Sequence, residues 1–233
     1  YVNSIGGVSV PEDLIEGVDL LERFRRAESS EVRIPVEDEE LEARFKEEID
    51  AARKEGESLG GTFTVFAVGM PPGIGSHVQW DRRLDGKLAQ ALMSIQAIKG
   101  VEVGLGFKSG NLPGSAVHDE IFYSPGKGFY RETNRAGGLE GGMTNGEPIV
   151  LRAVMKPIPT LYRPLRSVDL FTKDSFEASV ERSDVCAVPA AAVVAEAMVA
   201  ITLLSAVLES FPSDSFNRLK LSFEAYRREI AEK

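Results

Sequence analysis

Apolar positions along the chain change period several times, and each change marks an element. Leu41, Phe45, Ile49 and Ala52 recur at helical spacing behind the acidic run from Glu37 to Glu40. Acids suit the positive end of a helix, and Gly56 suits the position just past its other end. This predicts an amphipathic surface helix over 37–55 with a solvated charged face. Before it, Val2 to Val10 alternates weakly around Gly6 and Gly7, as a short strand and turn would. Leu14, Val18, Leu21 and Phe24 mark a short helix within the mixed-charge stretch 11–36. Thr62 to Val68 is β-branched and aromatic and reads as a strand. Leu84, Leu88, Leu92 and Ile95 predict a helix over 81–98, stopped at Gly100 and followed closely by a strand over 101–107. A further strand over 148–155 ends at Lys156-Pro157, where proline stops ladder pairing.

Two helices close the chain. From Ala190 to Leu208 the only charged residue is Glu196, a run that approaches membrane-span length. It is rich in alanine and has no basic flank, so it reads as the buried centre of a soluble domain rather than a span. The last helix, 213–233, carries Phe216, Leu219, Phe223, Tyr226 and Ile230 as an apolar stripe, against the core or a partner subunit.

Composition narrows the class. The chain has 233 residues, 43% hydrophobic, enough for one large domain or two small ones with a real core. Its net charge of −9 disfavours nucleic acid or an anionic membrane as partner, since both want a basic surface. A phosphorylated small molecule needs only a few local cations, for which Arg82, Arg83, Arg135, Lys156, Arg166 and Arg182 are candidates. Cys186 is the single cysteine and His77 and His118 the only histidines, so neither an intrachain disulfide nor a structural zinc site is expected. A reducing, cytoplasmic setting fits.

Three segments carry candidate chemistry. Between Asn134 and Ile149 five glycines fall within Gly137 to Gly146. That density costs conformational entropy, and the usual returns are positive φ angles or backbone N–H groups close to an anionic ligand; a pair of tight turns is the plainer reading. Lys156-Pro157-Ile158-Pro159-Thr160 is stiffened by two prolines that also remove two N–H groups, leaving few, fixed donors. It suits either a cofactor edge or a plain strand exit. In Glu181 to Cys186, Arg182 and Asp184 lie shortly before Pro189, a residue suited to a first helical turn. Asp184 reads as a cap, as an ion-pair partner of Arg182, or as a working carboxylate at a helix N-terminus that favours anions.

Together these segments resemble chorismate synthase. Ser94-Ile-Gln-Ala-Ile-Lys-Gly-Val-Glu102 and Trp80-Asp-Arg-Arg-Leu-Asp85 extend the match in family order, which runs from Val2-Asn-Ser-Ile-Gly-Gly7 to the C-terminal helix and is weakest from Val10 to Leu59. The resemblance implies an α+β fold, a sandwich of helices between antiparallel β-sheets with the long Ala-rich helix buried in it. It implies one domain over 1–233, truncated at its N-terminus, and a homotetramer. It implies reduced flavin mononucleotide (FMN) as cofactor, held by Gln96, Ala97, Gly141, Lys156 to Thr160 and Arg182. Arg182 and Asp184 become the catalytic pair, Arg182 against flavin and substrate and Asp184 near the flavin's reactive nitrogen. The implied reaction is the 1,4-anti elimination of phosphate from 5-enolpyruvylshikimate 3-phosphate to give chorismate. No motif here bears on whether NADPH reduces the flavin at the protein. The family's acid–base histidines have no counterpart from Tyr1 onward, so His118 is not expected to act as a base. The chain alone is expected to bind flavin poorly and turn over nothing. The competing expectation is a catalytically silent assembly fragment.

Overall fold

The computed structural model describes residues 1–232. Its strands include β1 (Val2–Ile5), β2 (Val8–Ser9), β3 (Gly61–Ala67), β4 (Ile98–Val103), β5 (Phe122–Ser124) and β6 (Gly128–Tyr130). Later come β7 (Leu139–Glu140), β8 (Met143–Thr144), β9 (Ile149–Met155), β10 (Arg166–Val168) and β11 (Ser175–Glu177). The helices are α1 (Leu20–Ser29), α2 (Glu39–Glu55), α3 (Leu84–Met93), α4 (Val188–Ser210) and α5 (Phe216–Ala231). One sheet has the order β2-β1-β3-β9-β4, and three two-strand hairpins, β5–β6, β7–β8 and β10–β11, stand outside it. This mixture of helices and largely antiparallel pairs is an α+β architecture.

The chain divides into two compact units, one built from 1–64, 96–100 and 153–194, the other from 65–95, 101–152 and 195–233. In the first unit β1 pairs antiparallel with β3, Val2 opposite Phe63 and Ile5 opposite Gly61, with a bulge between Val2 and Ser4. Phe63, Ile5, Ile34 and Phe45 are fully buried there. Helix α2 follows its sequence signals closely. The Asp38 side chain accepts from the Leu41 N–H at 2.9 Å, and the chain leaves at Gly56 with φ 75°. Leu41, Phe45 and Ala52 are its buried stripe. The core of the second unit is Leu84, Leu88 and Leu92 of α3, Ile149 and Leu151 of β9, Ile74, and the α4 residues Ala195, Val199, Leu203 and Ala206. Tyr226 of α5 donates its hydroxyl to the Pro72 carbonyl at 2.8 Å, and Phe211 meets Phe223 and Tyr226 edge-on.

Three expectations change. The helix expected over 81–98 is a single 3-10 turn, Trp80–Arg82, followed by α3, which stops at Met93. The chain then reverses through Ala97 at φ 66°, so Ile98 opens β4 instead of closing a helix. The strand expected over 101–107 ends at Val103, where Gly104 takes φ 58° and presses against the Arg135 carbonyl. Third, α4 is one unbroken helix, but only one side of it is buried. Val188, Ala191, Ala192, Ala195, Val199, Leu203 and Ala206 face the interior, whereas Val193, Val194, Ile201 and Leu204 are exposed. Four of the seven buried positions are alanine, so the seam carries little side-chain volume, and several of the larger residues point the other way. By length and composition alone α4 is apolar enough to cross a membrane.

Candidate functional site

In the first unit the short run 56–61 gathers the singled-out segments. The Ser58 hydroxyl, itself buried, donates to the Ile158 carbonyl at 2.6 Å. The Leu59 N–H donates to the Val185 carbonyl at 2.7 Å, and Leu59 forms a parallel bridge with Cys186. Gly60 approaches so closely that a Cβ would lie 2.3 Å from the Met155 carbonyl oxygen and 2.9 Å from the Pro157 ring. The Lys156 N–H donates to the Ala97 carbonyl at 2.9 Å, and the Ser183 hydroxyl to the Thr160 carbonyl at 3.1 Å. Gln96-Ala97, Lys156 to Thr160 and Arg182 to Asp184 are thus stitched together by backbone and hydroxyl bonds. Ser58 and Gly60 are the contributors that sequence reasoning missed. The run Ser58-Leu-Gly-Gly61 ahead of a strand, where small residues permit close approach, is the signal that could have found them.

What these bonds leave open is informative. With Pro157 and Pro159 lacking N–H groups, the N–H groups of Ile158 and Thr160 are the donors of that stretch, and neither has an acceptor among the described residues. The carbonyls of Ile158 and Thr160 are taken by Ser58 and Ser183, so the segment presents donors outward. Arg182 and Asp184 are exposed, and their side chains have no hydrogen-bond or ion-pair partner among the described residues. Asp184 therefore neither caps α4 nor pairs with Arg182. Gln96 is exposed beyond the end of α3, and the Lys156 amine reaches only its neighbour's carbonyl, at 3.4 Å. Burial pushes the Cys186 thiol up, against a weaker opposing bond from the Val188 backbone, which keeps it an inert thiol.

Ala97 is one of few non-glycine residues at positive φ, a conformation that costs an L side chain roughly 1–2 kcal/mol. Its carbonyl must point at Lys156, and the surrounding bonds hold it there. Ala97→Gly is expected to relieve that strain and, after the added freedom of the unfolded chain, raise the melting temperature by roughly 1–3 °C. Ala97→Val is expected to lower it. Calorimetry on both variants checks the pair.

The glycine-rich segment belongs to the second unit, and there the glycines serve backbone packing. A Cβ on Gly137 would meet the Gly104 nitrogen at 2.4 Å, and one on Gly138 the Pro148 carbonyl oxygen at 2.5 Å. The Asn134 side chain ties the loop to itself, accepting from the Gly138 N–H and donating to the Pro148 carbonyl, both at 2.8 Å. Gly141, at the tip of the β7–β8 hairpin, differs. It takes φ 60°, nothing lies within 4 Å of its Cβ position, and its N–H has no acceptor among the described residues.

Asp119 anchors the loop's entry. Its carboxylate accepts from the Thr133 hydroxyl and from the N–H groups of Arg135 and Ala136, the latter two at 2.9 Å. Burial pushes this carboxyl up, but the Thr133, Ala136 and Arg135 donors together outweigh it and hold it below the ordinary value. A lowered folded-state value means the contribution is present above the unfolded carboxylate range. It is lost as pH falls through the folded value. Protection of the Arg135 and Ala136 amides, relative to their intrinsic exchange rate at each pH, is expected to fall on acidification below about pH 4, and Asp119→Asn should lower the same protection at pH 7, destabilising the chain by about 1–2 kcal/mol.

Comparison with known proteins decides the family. Residues 1–208 match the chorismate synthase family model. The chain belongs to the chorismate synthase family. It is 58% identical over 234 residues to the chorismate synthase of Sulfurihydrogenibium sp. (strain YO3AOP1), covering 99% of this chain and 59% of that protein. It is 58% identical over 207 residues to that of Aquifex aeolicus (strain VF5), covering 89% and 52%. A crystal structure of chorismate synthase superposes with a TM-score of 0.84 at 47% identity, over 100% of this chain and 63% of that one. The matched region thus spans between about half and about three fifths of the length of these chorismate synthases.

Proposed function

We propose that this chain carries the flavin-seating part of a chorismate synthase, which eliminates phosphate from 5-enolpyruvylshikimate 3-phosphate with reduced FMN to give chorismate. The observation that carries the reading is the Lys156 N–H bonded to the Ala97 carbonyl, which joins two segments the family uses for its cofactor. The donors fit an electron-rich ring and a phosphate. In the first unit the N–H groups of Ile158 and Thr160 are unspent on a proline-stiffened edge, and Lys156 and Arg182 supply charge in an otherwise acidic chain. In the second unit, taken by itself, Gly141 offers an N–H on an open surface. Bound reduced flavin supplies the electron density that the departing phosphate requires. Arg182 stabilises the charge that develops on the leaving phosphate, and Asp184 holds or accepts a proton at its carboxylate oxygens. Lys156 to Thr160 orient the ring edge, and the prolines keep that edge from rearranging.

The finer architecture belongs to the same proposal. It is one domain in a helix-between-sheets sandwich, assembled as a cytoplasmic homotetramer, with α4 as an inner helix of the assembly. The bare stripe Val193, Ile201 and Leu204 also favours a second reading, a silent assembly fragment whose contribution is surface alone. One experiment separates the two. The chain is titrated anaerobically with reduced FMN, alone and with the remaining part of a family relative supplied in trans, and phosphate release is followed. Weak binding alone and elimination on complementation support the enzyme reading. A flavin spectrum unchanged in both settings overturns it.

A further inference from the structure

The turn that carries Gly141 is held by a side chain from outside it. Arg131 follows β6, and its side chain is only 14% exposed. One guanidinium nitrogen donates to the Glu140 carboxylate at 2.7 Å and the other to the Asn145 carbonyl at 3.2 Å. The Asn145 side-chain amide donates to the same Glu140 oxygen at 2.8 Å. A single planar fork therefore grips Glu140, which enters the Gly141-Gly142 tip, and Asn145, just past the end of β8. Gly141 has no packing partner of its own, so nothing on its surface selects its conformation.

Stability alone is a poor account of this arrangement. Glu140 is 45% exposed, and ion pairs of that kind contribute little. Sequestering a guanidinium costs solvation and side-chain entropy, and what a rigid fork returns is geometry. We propose that Arg131 is a positioning residue: through Glu140 and Asn145 it fixes the left-handed backbone of Gly141, and so the direction of the N–H that Gly141 presents to a bound flavin. The ligand rests on the function proposed above; the clamp does not.

Arg131→Gln, Arg131→Lys and Glu140→Gln are made in the 233-residue chain, and amide exchange and reduced-FMN affinity are measured on each. Arg131→Gln is expected to speed exchange of the Asn145 N–H, which bonds the Gly138 carbonyl, by about tenfold, leaving the β9 amides unchanged. The dissociation constant for reduced FMN should rise about tenfold with far-ultraviolet circular dichroism unaltered. Arg131→Lys, which keeps the charge and loses the fork, should recover only part of both. Unchanged exchange in all three variants overturns the clamp. Faster exchange with unchanged flavin affinity overturns the positioning role. If the unsubstituted chain binds no flavin even with the remaining part of a family relative supplied in trans, the cofactor reading falls and the exchange result decides the clamp.

Discussion

Gly137→Ala is expected to destabilise the chain by on the order of 3–5 kcal/mol, the largest single effect anticipated here. Two penalties coincide at this position. The residue sits at φ 63°, and a Cβ would approach the Gly104 nitrogen at 2.4 Å, the Gly104 Cα at 2.6 Å and the Val150 carbonyl oxygen at 2.9 Å. All three are backbone atoms, so no side chain can swing aside. Gly137 also accepts from the Val150 N–H, so relief by movement would break contact with β9. Urea denaturation should show the midpoint shift. Gly141→Ala is the control, with the same sign of φ but open space around it, and should cost only about 1–2 kcal/mol. Equal losses at the two positions would mean that packing does not explain the glycine density.

Arg182→Ala should do the opposite, leaving stability within about 0.5 kcal/mol, since the side chain is exposed and without a partner among the described residues. Its effect should fall on turnover. Removing a cation that faces developing charge costs on the order of 10²–10³ in rate. Phosphate release from 5-enolpyruvylshikimate 3-phosphate, measured with the complementing part of a family relative, should fall by that factor, with reduced-flavin affinity weakened as well. A melting temperature lowered by several degrees with turnover intact would make Arg182 a structural residue and remove it from the mechanism.

These contrasts show what was legible in the amino-acid order. Helix α2 was readable because its acidic first turn, its stripe and its terminal glycine agree with one another. Strand β9 was readable because β-branched residues run up to a proline that must stop it. The end of α3 was not, since Ile95 and Ile98 continue an apolar rhythm while the reversal at Ala97 depends on a bond to Lys156, far away in sequence. The hairpins β5–β6, β7–β8 and β10–β11 have strands of two or three residues, too short to show alternation. The glycine segment invited a ligand-based reading, yet Gly137 and Gly138 are bare because other backbone lies against them, a relation no local pattern contains. For Asp184, the order of residues allowed a cap, an ion pair or a working acid. The structure removes the first two among the described residues by giving its side chain no partner.

The sheet order carries a consequence for how the molecule is made. Strands β3 and β4 flank β9, the last of the three to be synthesised, so neither can acquire that neighbour until Met155 has emerged from the ribosome. At ordinary translation rates the stretch from Val103 to Met155 takes on the order of several seconds, during which two apolar strand edges await the same missing centrepiece. A nascent chain stalled before Ile149 should therefore be a strong chaperone client, and release from that dependence should coincide with the arrival of a single seven-residue segment.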